Sequence, residues 1–380
     1  MKYLEIYQSL KKSITGREFD PAHRIPGEPE LCRRFGTARN TIRQALALLQ
    51  SEGLIEKRKC KGTFITKRAA RKTGIIGLLV PNYTSSVFFS SLRAELTKSA
   101  AKLGYKIKLE TANLESEPDA AKGTRNAARR LAVQRVEGVI FRPHLEENLI
   151  CANNEVLKIF KNSETPVVLI DSDVSARPER SDCDLVAVDN VSAGRRIAAH
   201  LLDTGRKRLA FMMSGLEIGS NANWENRLFG IAGEIAVRGL DEGVGTLRFP
   251  PDDLESLREL FRSKRRPDAI ACGNDRTAAV LTESLKAIGK RVPEDVSVTG
   301  FDDESFARSS VPPLTTIRQP TALIAKTALK TLLARIRYPQ NDHKEILLDA
   351  PLIIRKSSSS PNISDCNSIK NPMPRKSCKA

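Results

Sequence analysis

The sequence predicts an α/β protein with an N-terminal winged helix-turn-helix and a larger region of parallel sheets divided into two subdomains. Residues 24–63 hold two helical patterns separated by a glycine and followed by a basic pair of strands. From residue 74 onward, strands that are apolar on both faces alternate with helices of roughly 10–17 residues, as in parallel sheets with crossover helices. About ten strands are too many for one modest sheet, so two linked subdomains with a cleft between them fit better.

The first motif lies within residues 24–63. A short helix is predicted over about 28–34, a turn at Gly36 and a longer helix over about 38–52. A basic two-strand ribbon then turns around residues 59–62. The order of helix, tight turn, helix and ribbon is typical of a helix-turn-helix followed by a wing.

The longer helix has two different faces when its residues are spaced at about 100°. One arc carries side chains that can hydrogen-bond to guanine and adenine edges in the major groove: Arg39, Asn40, Arg43 and Gln44. The opposite arc is apolar: Ile42, Ala45, Leu46 and Leu49. A surface helix with ordinary solvated charges would show the same faces, but its position between a tight turn and a basic wing favours DNA binding.

Residues 3–66 resemble the winged-helix domain of the GntR family. The matching residues are Tyr7, Arg24-Ile25-Pro26-x-Glu28, Glu30-Leu31, Gly36-x-x-Arg39-x-Thr41-Ile42-Arg43-x-Ala45-Leu46, Leu49, Glu52-Gly53-Leu54-Ile55 and Gly62-Thr63-Phe64. The resemblance implies that the start of the second helix reads bases and that the wing approaches the minor groove. The DNA contacts expected on these grounds and from the basic wing are Arg39, Asn40, Thr41, Arg43, Gln44, Thr37, Lys61 and Gly62.

Three residues depart from the family pattern. Pro29 stands where an Arg near the groove is usual, so one DNA contact is missing. Ala38 stands where a Ser or Thr would cap the recognition helix, and Thr37 is the alternative cap. Cys60 replaces the first wing glycine, so we expect a different wing tip.

Composition and motifs argue against several other classes of protein. The 380 residues suffice for two or three domains. Neither a membrane-spanning run nor a secretory leader is evident. This predicts a cytoplasmic protein that joins the nucleoid when it is bound to DNA. Seven Cys without a Cys-x-x-Cys pair and four scattered His predict reduced thiols and neither a metal site nor a cofactor. An enzyme on the same α/β fold would need a phosphate loop or a nucleophile elbow, and we find no Gly-x-Gly-x-x-Gly, Walker A or Gly-x-Ser-x-Gly motif.

The net charge of +17 is uneven along the chain. Residues 1–72 hold 17 Lys and Arg against 7 Asp and Glu, and residues 355–380 hold 6 against 1, so the middle is nearly neutral. This distribution indicates nucleic acid as the partner of the N-terminal module alone. Residues 67–73 are interpreted as a basic linker, and residues 356–380, rich in Ser, Asn, Pro and Lys, as a disordered tail.

The middle of the chain alternates strands and helices. Strands are predicted at residues 75–81, 105–110, 136–141, 167–170, 185–188, 208–213, 269–273 and 296–301. Helices are predicted at about 88–103, 120–134, 154–160, 192–203, 224–238 and 276–288.

Residues 73–355 resemble the effector domain of LacI/GalR-type repressors, which shares the periplasmic sugar-binding protein fold. The motifs are Ile76-Gly77-Leu78-Leu79-Val80-Pro81, Gly138-Val139-Ile140, Pro166-Val167-Val168-Leu169-Ile170-Asp171, Val188-Asp189-Asn190-x-x-x-Gly194, Arg227-x-x-Gly230, Pro267-Asp268-Ala269-Ile270, Asn274-Asp275-x-x-Ala278, Arg291-Val292-Pro293-Glu294-Asp295-Val296-Ser297-Val298, Gly300-Phe301-Asp302-Asp303 and Pro312-Pro313-Leu314-Thr315-Thr316-Ile317. The resemblance implies chain crossings near Asp171, Gln319 and Glu345. The N-subdomain would then comprise 74–170 and 320–345, and the C-subdomain 171–319 and 346–355.

Polar and aromatic residues directly follow several predicted strands. Ligands in such folds bind beyond the carboxyl ends of the strands. Carboxylates, amides and guanidinium groups can hydrogen-bond sugar hydroxyls, and aromatic rings can cover sugar C–H faces. The strand-end candidates are Asn82, Tyr83, Asp171, Asn274, Asp302 and the Phe88–Phe89 pair. The resemblance implies contacts from Arg227, Asn274, Asp302 and Gln319, with Phe88 or Phe89 as a wall.

Several of these residues have an alternative structural role. Asp275 and Asp303 are interpreted as helix N-caps more readily than as ligand contacts. Of Phe88 and Phe89, one is expected in the core and one at the cleft. Arg227 could form a surface ion pair. The single tryptophan, Trp224, could be a lid or a surface residue.

The combination of a GntR-type reader and a LacI-type sensor resembles arabinose-responsive (AraR-like) repressors. It predicts a homodimer that binds double-stranded operator DNA through two recognition helices about 34 Å apart, in successive major grooves. A small effector, by default a pentose or another neutral monosaccharide, would close the cleft, change that spacing and release the operator of a carbohydrate-utilisation operon. A purine effector is the alternative, and a sugar-binding transport protein is a further one that the DNA-binding module argues against.

Overall fold

The computed structural model describes residues 2–15, 24–58, 61–66, 73–81, 87–112, 119–145, 149–175, 179–214, 221–240 and 243–359. The chain divides into two compact units. Unit 1 comprises Met1–Ala187 and Thr321–Leu348. Unit 2 comprises Val188–Pro320 and Asp349–Ala380.

The N-terminal part of unit 1 is a winged helix-turn-helix, as predicted. Its elements are α1 (Lys2–Thr15), α2 (Glu28–Phe35), α3 (Arg39–Ser51), β1 (Ile55–Arg58) and β2 (Gly62–Ile65). The two strands pair antiparallel, with Ile55 opposite Ile65 and Arg58 opposite Gly62. Leu31, Ile42 and Leu49 are buried in one apolar cluster with residues of α1, β1 and β2, so the five elements share a small core.

A six-stranded sheet forms the α/β part of unit 1, in the order β13-β7-β6-β5-β3-β4. Its strands are β3 (Ile75–Leu79), β4 (Lys106–Glu110), β5 (Gly138–Phe141), β6 (Val167–Ile170), β7 (Asp184–Val188) and β13 (Glu345–Leu348). Its helices are α4 (Val87–Ala101), α5 (Ala120–Val133), α6 (Ile150–Asn162) and α12 (Thr321–Arg337). β3 to β7 pair in parallel, and β5 is buried along its whole length because helices cover both faces of the sheet.

A second six-stranded sheet forms unit 2, in the order β14-β12-β11-β10-β8-β9. Its strands are β8 (Leu209–Met212), β9 (Gly245–Leu247), β10 (Ala269–Cys272), β11 (Ser297–Asp302), β12 (Thr315–Arg318) and β14 (Leu352–Ile353). Its helices are α7 (Asn190–Asp203), α8 (Ala222–Val237), α9 (Leu254–Arg262), α10 (Asp275–Ala287) and α11 (Ser305–Ser309). The last strand, β14, pairs antiparallel with β12, and the remaining pairs are parallel.

The first crossing between units differs from the prediction. It was expected near Asp171, but the strand Asp184–Val188 pairs with Val167–Ile170, so the crossing falls between Ala187 and Val188. The buried Arg335 reinforces this assignment, because its Nε donates to Asp184 Oδ2 at 2.8 Å and fixes α12 to the start of β7. The other crossings fall at residues 320/321 and 348/349, one and three residues after the expected positions.

The C-terminal boundary also differs from the prediction. The tail was expected to begin at residue 356, but Ser357 and Ser358 are fully buried in unit 2. Ser357 Oγ donates to the Val298 carbonyl oxygen at 2.6 Å and accepts the Thr315 N–H at 2.8 Å. Residues 360–380, the remainder of the expected tail, lie outside the described residues. None of the described helices combines the length and apolar character that a membrane crossing requires.

Candidate DNA-binding surface and effector site

The recognition helix α3 has the two faces that its periodicity predicted. Ile42, Ala45, Leu46 and Leu49 are buried. The polar residues on the other face are exposed: Arg39, Asn40, Arg43 and Gln44, with Thr41 half-buried beside them. The helix therefore presents two guanidinium groups and two amides away from the core.

A carboxylate from α2 holds both arginines of this face. Glu28 Oε2 accepts hydrogen bonds from Arg39 Nε at 2.8 Å and Arg43 Nε at 3.0 Å. Lys57 Nζ lies 3.9 Å from the other oxygen, Glu28 Oε1. The hydrogen bond from Arg39 is the main reason that the pKa of Glu28 lies below its usual value, so the carboxylate is ionised at neutral pH. Glu28 was one of the residues that matched the GntR family pattern, but its role in holding Arg39 and Arg43 was not predicted.

The start of α3 corrects one expectation. The N-cap residue is Ala38, in an extended conformation, and no side chain makes a capping hydrogen bond there. Thr37 is half-buried and does not replace the missing cap. The first amide groups of α3 therefore keep their donor capacity, which suits a phosphate oxygen.

The wing is organised around Gly62, which has a positive φ of 106°. A Cβ atom at this position would lie 3.2 Å from Arg24 Nε, so the arginine packs directly over the glycine. Lys61 and Gly62 are exposed, as expected for a wing that reaches DNA. Cys60, whose effect on the wing tip was predicted, lies outside the described residues.

In unit 2, Arg227 is a buried side chain and not a surface ion pair. Its Nε donates to Asn190 Oδ1 at 2.8 Å, and its Nη1 donates to the Gly273 carbonyl oxygen. Its guanidinium carbon lies 3.4 Å from the centroid of the Phe301 ring. Arg227 thereby joins the carboxyl ends of β10 and β11, where Asn274 follows β10 and Asp302 is the last residue of β11.

The cap of α10 is one residue earlier than predicted. Asn274 Oδ1 accepts the Thr277 N–H at 2.8 Å, so Asn274 is the N-cap and Asp275 is the first helical residue. Asp275 is fully buried and accepts hydrogen bonds from Thr316 Oγ1 at 2.6 Å and from the Glu304 N–H at 2.8 Å. Burial raises the pKa of Asp275 to about 7.

Asp302 and Gln319, two of the predicted ligand contacts, lie together. Gln319 Nε2 donates to Asp302 Oδ1 at 2.6 Å. The neighbouring Asp303 is not a cap, since the N-cap of α11 is Glu304 without a side-chain bond. Burial by itself would raise the pKa of Asp303. Hydrogen bonds from Arg355 at 2.5 Å and Arg318 at 2.6 Å outweigh this effect, so the pKa of Asp303 lies below its usual value.

Trp224 is packed within unit 2. Its ring meets Phe211 edge to face, with centroids 6.5 Å apart. A Cβ at Gly273 would lie 2.3 Å from the Trp224 ring, so only a glycine allows this approach. Trp224 is therefore a half-buried residue held against Phe211 and Gly273, and its role as a lid stays a prediction.

Unit 1 has strand-end residues of its own. Phe89 is buried and Phe88 is half-buried, with the rings edge to face at 4.9 Å. Arg142, which directly follows β5, lies 5.3 Å from the Phe89 ring centroid, and its Nε donates to Asp171 Oδ2 at 3.2 Å. Arg142 is not among the predicted site residues, although its position directly after a strand was the available signal. Asn82 and Tyr83 lie outside the described residues.

Two predicted ligand residues have strained backbones. Asp171 has a φ of 73° and Asp302 a φ of 113°, in a region that side-chain-bearing residues rarely adopt. Both stand at the carboxyl ends of strands, where strained residues often point side chains toward a ligand.

Comparison with known families agrees with both halves of this description. Residues 2–65 match the model for bacterial regulatory proteins of the gntR family. Residues 198–358 match the model for a periplasmic binding protein-like domain.

Named transcriptional regulators match this protein along most of the chain. The arabinose metabolism transcriptional repressor of Geobacillus stearothermophilus is 27% identical over 374 residues, which cover 94% of this chain and 97% of that protein. The HTH-type transcriptional repressor PurR of Mannheimia succiniciproducens is 28% identical over 292 residues, 75% of this chain and 81% of that protein. The solved transcriptional regulator CelR–cellobiose complex shares the fold, with a TM-score of 0.62 at 23% identity over 84% of this chain and 90% of that one. These relatives are transcriptional regulators and not enzymes. The chain therefore combines an N-terminal domain of the gntR family of bacterial regulatory proteins with a periplasmic binding protein-like domain.

Proposed function

We propose that this protein is a transcriptional repressor whose binding to operator DNA is controlled by a small sugar. The observation that carries the proposal is the exposed pair Arg39 and Arg43, anchored on the recognition helix by Glu28 in a gntR-family domain. Guanidinium groups held in this way can bind guanine edges bidentately. Asn40, Thr41 and Gln44 would add base contacts, and Thr37, Lys61 and Gly62 would add contacts to the backbone and the minor groove.

The effector would bind the strand-end residues of the periplasmic binding protein-like domain. Arg227, Asn274, Asp302 and Gln319 of unit 2 offer the guanidinium, amide and carboxylate groups that hydrogen-bond sugar hydroxyls. Phe88, Phe89 and Asp171 of unit 1, together with Tyr83, are further proposed contacts. A nucleobase is the second candidate class, because the half-buried ring of Trp224 in unit 2 could stack on a planar ligand as well as on a sugar.

Replacing Arg43 by Ala tests the DNA half of the proposal. Loss of one bidentate base contact costs about 1–3 kcal/mol, so binding to a duplex selected by the wild-type protein should weaken by roughly 5- to 150-fold. Arg129→Ala, which removes an equal charge from the exposed face of α5, should leave that binding unchanged. Equal operator affinity for Arg43→Ala and the wild type would contradict the assignment of α3.

A thermal-shift screen tests the effector half. Monosaccharides and nucleobases are screened separately with the full-length protein, and a true ligand at 100 times its dissociation constant should stabilise the effector domain by about 2.7 kcal/mol. The same compound should change operator affinity. Stabilisation by neither class of compound would reject the proposed effectors.

The repressor would act as a homodimer. Two recognition helices would enter successive major grooves about 34 Å apart, so an operator with two half-sites is required. Inserting about half a helical turn of DNA between the half-sites should abolish tight binding, because one helix would then face away from its groove. Retention of full affinity on that duplex would exclude this mode of binding.

A further inference from the structure

A cavity of about 400 Å³ lies in unit 2, at the amino-terminal ends of the strands of its sheet. It opens beside the amino ends of β8, β9 and β10, whereas Asn274 and Asp302 stand at carboxyl ends. The residues that line it are Arg208, Leu209, Ala210, Gly243, Val244, Gly245, Leu247, Leu260, Arg265 and Pro267. Its volume falls within the range of cavities that hold small molecules.

The rim of this cavity is strongly cationic. Residues 206–208 and 262–266 together contain seven Lys or Arg and no acidic residue. Residues 262–266 are all exposed. The α/β region as a whole is nearly neutral, so this concentration of charge is local. The segment before Gly243 contains Asp241 and Glu242, which lie outside the described residues.

The two arginines that line the cavity are positioned differently. Arg208 is anchored, because its Nε donates to the Arg266 carbonyl oxygen at 2.8 Å and its N–H donates to Asp268 Oδ1 at 2.9 Å. Within the described ranges, the other guanidinium nitrogens of Arg208 have no hydrogen-bond partner. The backbone N–H of Arg265 donates to Ser263 Oγ at 3.1 Å, but its guanidinium group has neither an ion pair nor a hydrogen bond to any part of the chain that the structure describes. Both groups therefore retain donors for a ligand.

We propose that this cavity binds the phosphate monoester of a small metabolite, at a site separate from the effector site. Guanidinium groups form paired hydrogen bonds with phosphate oxygens, which makes Arg208 and Arg265 suitable anchors. The apolar side chains of Val244, Leu247 and Leu260 supply walls for the organic part of the ligand.

The shape of the site favours a small ligand over DNA. Contacts to a DNA backbone come from exposed cations that follow a long strand, and their number sets the salt dependence of binding. Here the two lining arginines sit in a concave, partly apolar cavity. The alternative is measurable, because a phosphate contact to DNA would contribute about one unit to the salt slope of operator binding.

The test uses the full-length protein in phosphate-free buffer at low ionic strength. Inorganic phosphate, glycerol 3-phosphate and ribose 5-phosphate are titrated calorimetrically. The expected result is saturable binding of at least one ester, weakened at least tenfold by Arg265→Gln, the loss expected when a charged hydrogen-bonding group is removed. Arg262→Gln removes the same charge from the same exposed segment but does not line the cavity, and should change the dissociation constant less than twofold.

A second variant and four outcomes complete the test. Arg208→Lys keeps the charge but lacks the planar fork, and should weaken binding while thermal unfolding shows a folded protein. The proposal is overturned if neither ester binds, if binding does not depend on Arg265, or if Arg262→Gln causes an equal loss. It is also overturned if Arg265→Gln lowers the salt slope of operator binding by about one unit, since the arginine would then contact DNA.

Discussion

Replacing Glu28 by Gln removes the negative charge that holds two arginines of the recognition helix. The carboxylate oxygen Oε2 accepts from Arg39 at 2.8 Å and from Arg43 at 3.0 Å. Glutamine has the same size and keeps one acceptor oxygen, so the packing between α2 and α3 is preserved. What is lost is the charge that fixes both side chains before DNA arrives.

Two magnitudes follow from this geometry. The arginine side chains are 63% and 52% exposed, so solvent screens both ion pairs and their loss should cost about 1 kcal/mol or less of folding stability. DNA binding should suffer more. Ordering a flexible side chain at an interface costs about 0.5–1.5 kcal/mol, so two freed arginines should weaken operator binding by about 1–3 kcal/mol, or roughly 5- to 150-fold.

The assay compares a duplex selected by the wild-type protein with a scrambled duplex, by fluorescence anisotropy at fixed salt. Glu28→Gln should weaken binding to the selected duplex and leave binding to the scrambled duplex unchanged or tighter, because one negative charge near the phosphates is gone. Glu30→Gln is the matched control, since it removes an equal charge from the same helical turn. Its binding to the selected duplex should not weaken.

An increase in affinity for the selected duplex in Glu28→Gln would refute the reasoning. If Glu28→Gln tightens binding to both duplexes equally, Glu28 competes with DNA for the arginines and does not prepare them. The pH dependence gives a second check. Because the pKa of Glu28 is lowered, its ion pairs are fully present above the usual Glu range and are lost only as the pH falls through the lower value. The difference between Glu28→Gln and the wild type should therefore be constant between about pH 6 and 8.

Two further predictions concern unit 2. Because burial raises the pKa of Asp275 to about 7, its folded form binds protons more strongly than the unfolded chain, and stability should fall by up to about 1.4 kcal/mol per unit as pH rises from near 4 toward 7. Asp275→Asn, which can still hydrogen-bond Thr316, should flatten this dependence in urea unfolding, and an unchanged slope would assign it to another group. Gly230→Ala should destabilise the protein by about 1–3 kcal/mol, because its Cβ would lie 2.1 Å from the Val191 carbonyl oxygen on α7. On the same helix, a Cβ at Gly233 would have no atom within 4 Å, so Gly233→Ala should stabilise the protein by about 0.5–1 kcal/mol. Equal shifts of the unfolding temperature in both variants would disprove the close contact between α7 and α8.

The sequence predicted the faces of α3 because burial there follows the helical period. Ile42 and Leu49 must turn inward if any core forms, and Arg39 and Arg43 then turn outward. The anchor at Glu28 could not be predicted in the same way. Its bonds depend on the angle between α2 and α3, which no local pattern records.

The errors in unit 2 and at its boundary have similar causes. Asn274 and Asp275 are both good capping residues, and a shift of one residue in the end of β10 decides which one caps. The strand at 184–188 is apolar on both faces and would suit either sheet, so only its pairing with β6 assigns it. Asn190 and Arg142 were missed because their partners, Arg227 and Asp171, lie far away in the sequence.

Unit 1 is completed by residues 321–348, which follow most of unit 2 in the sequence, and this order has a consequence for biosynthesis. The winged helix is complete once residue 66 has left the ribosome, but the sheet of unit 1 lacks α12 until residue 337. This helix packs on α4, β5 and β6, and Gly138 leaves room for Leu332 against the sheet. At about 5–20 residues per second, a ribosome needs roughly 10–40 s to translate the about 200 residues between the end of β5 and the end of α12. During that interval the apolar surface of β5 and β6 that α12 covers in the folded protein is exposed, which favours aggregation of the nascent chain.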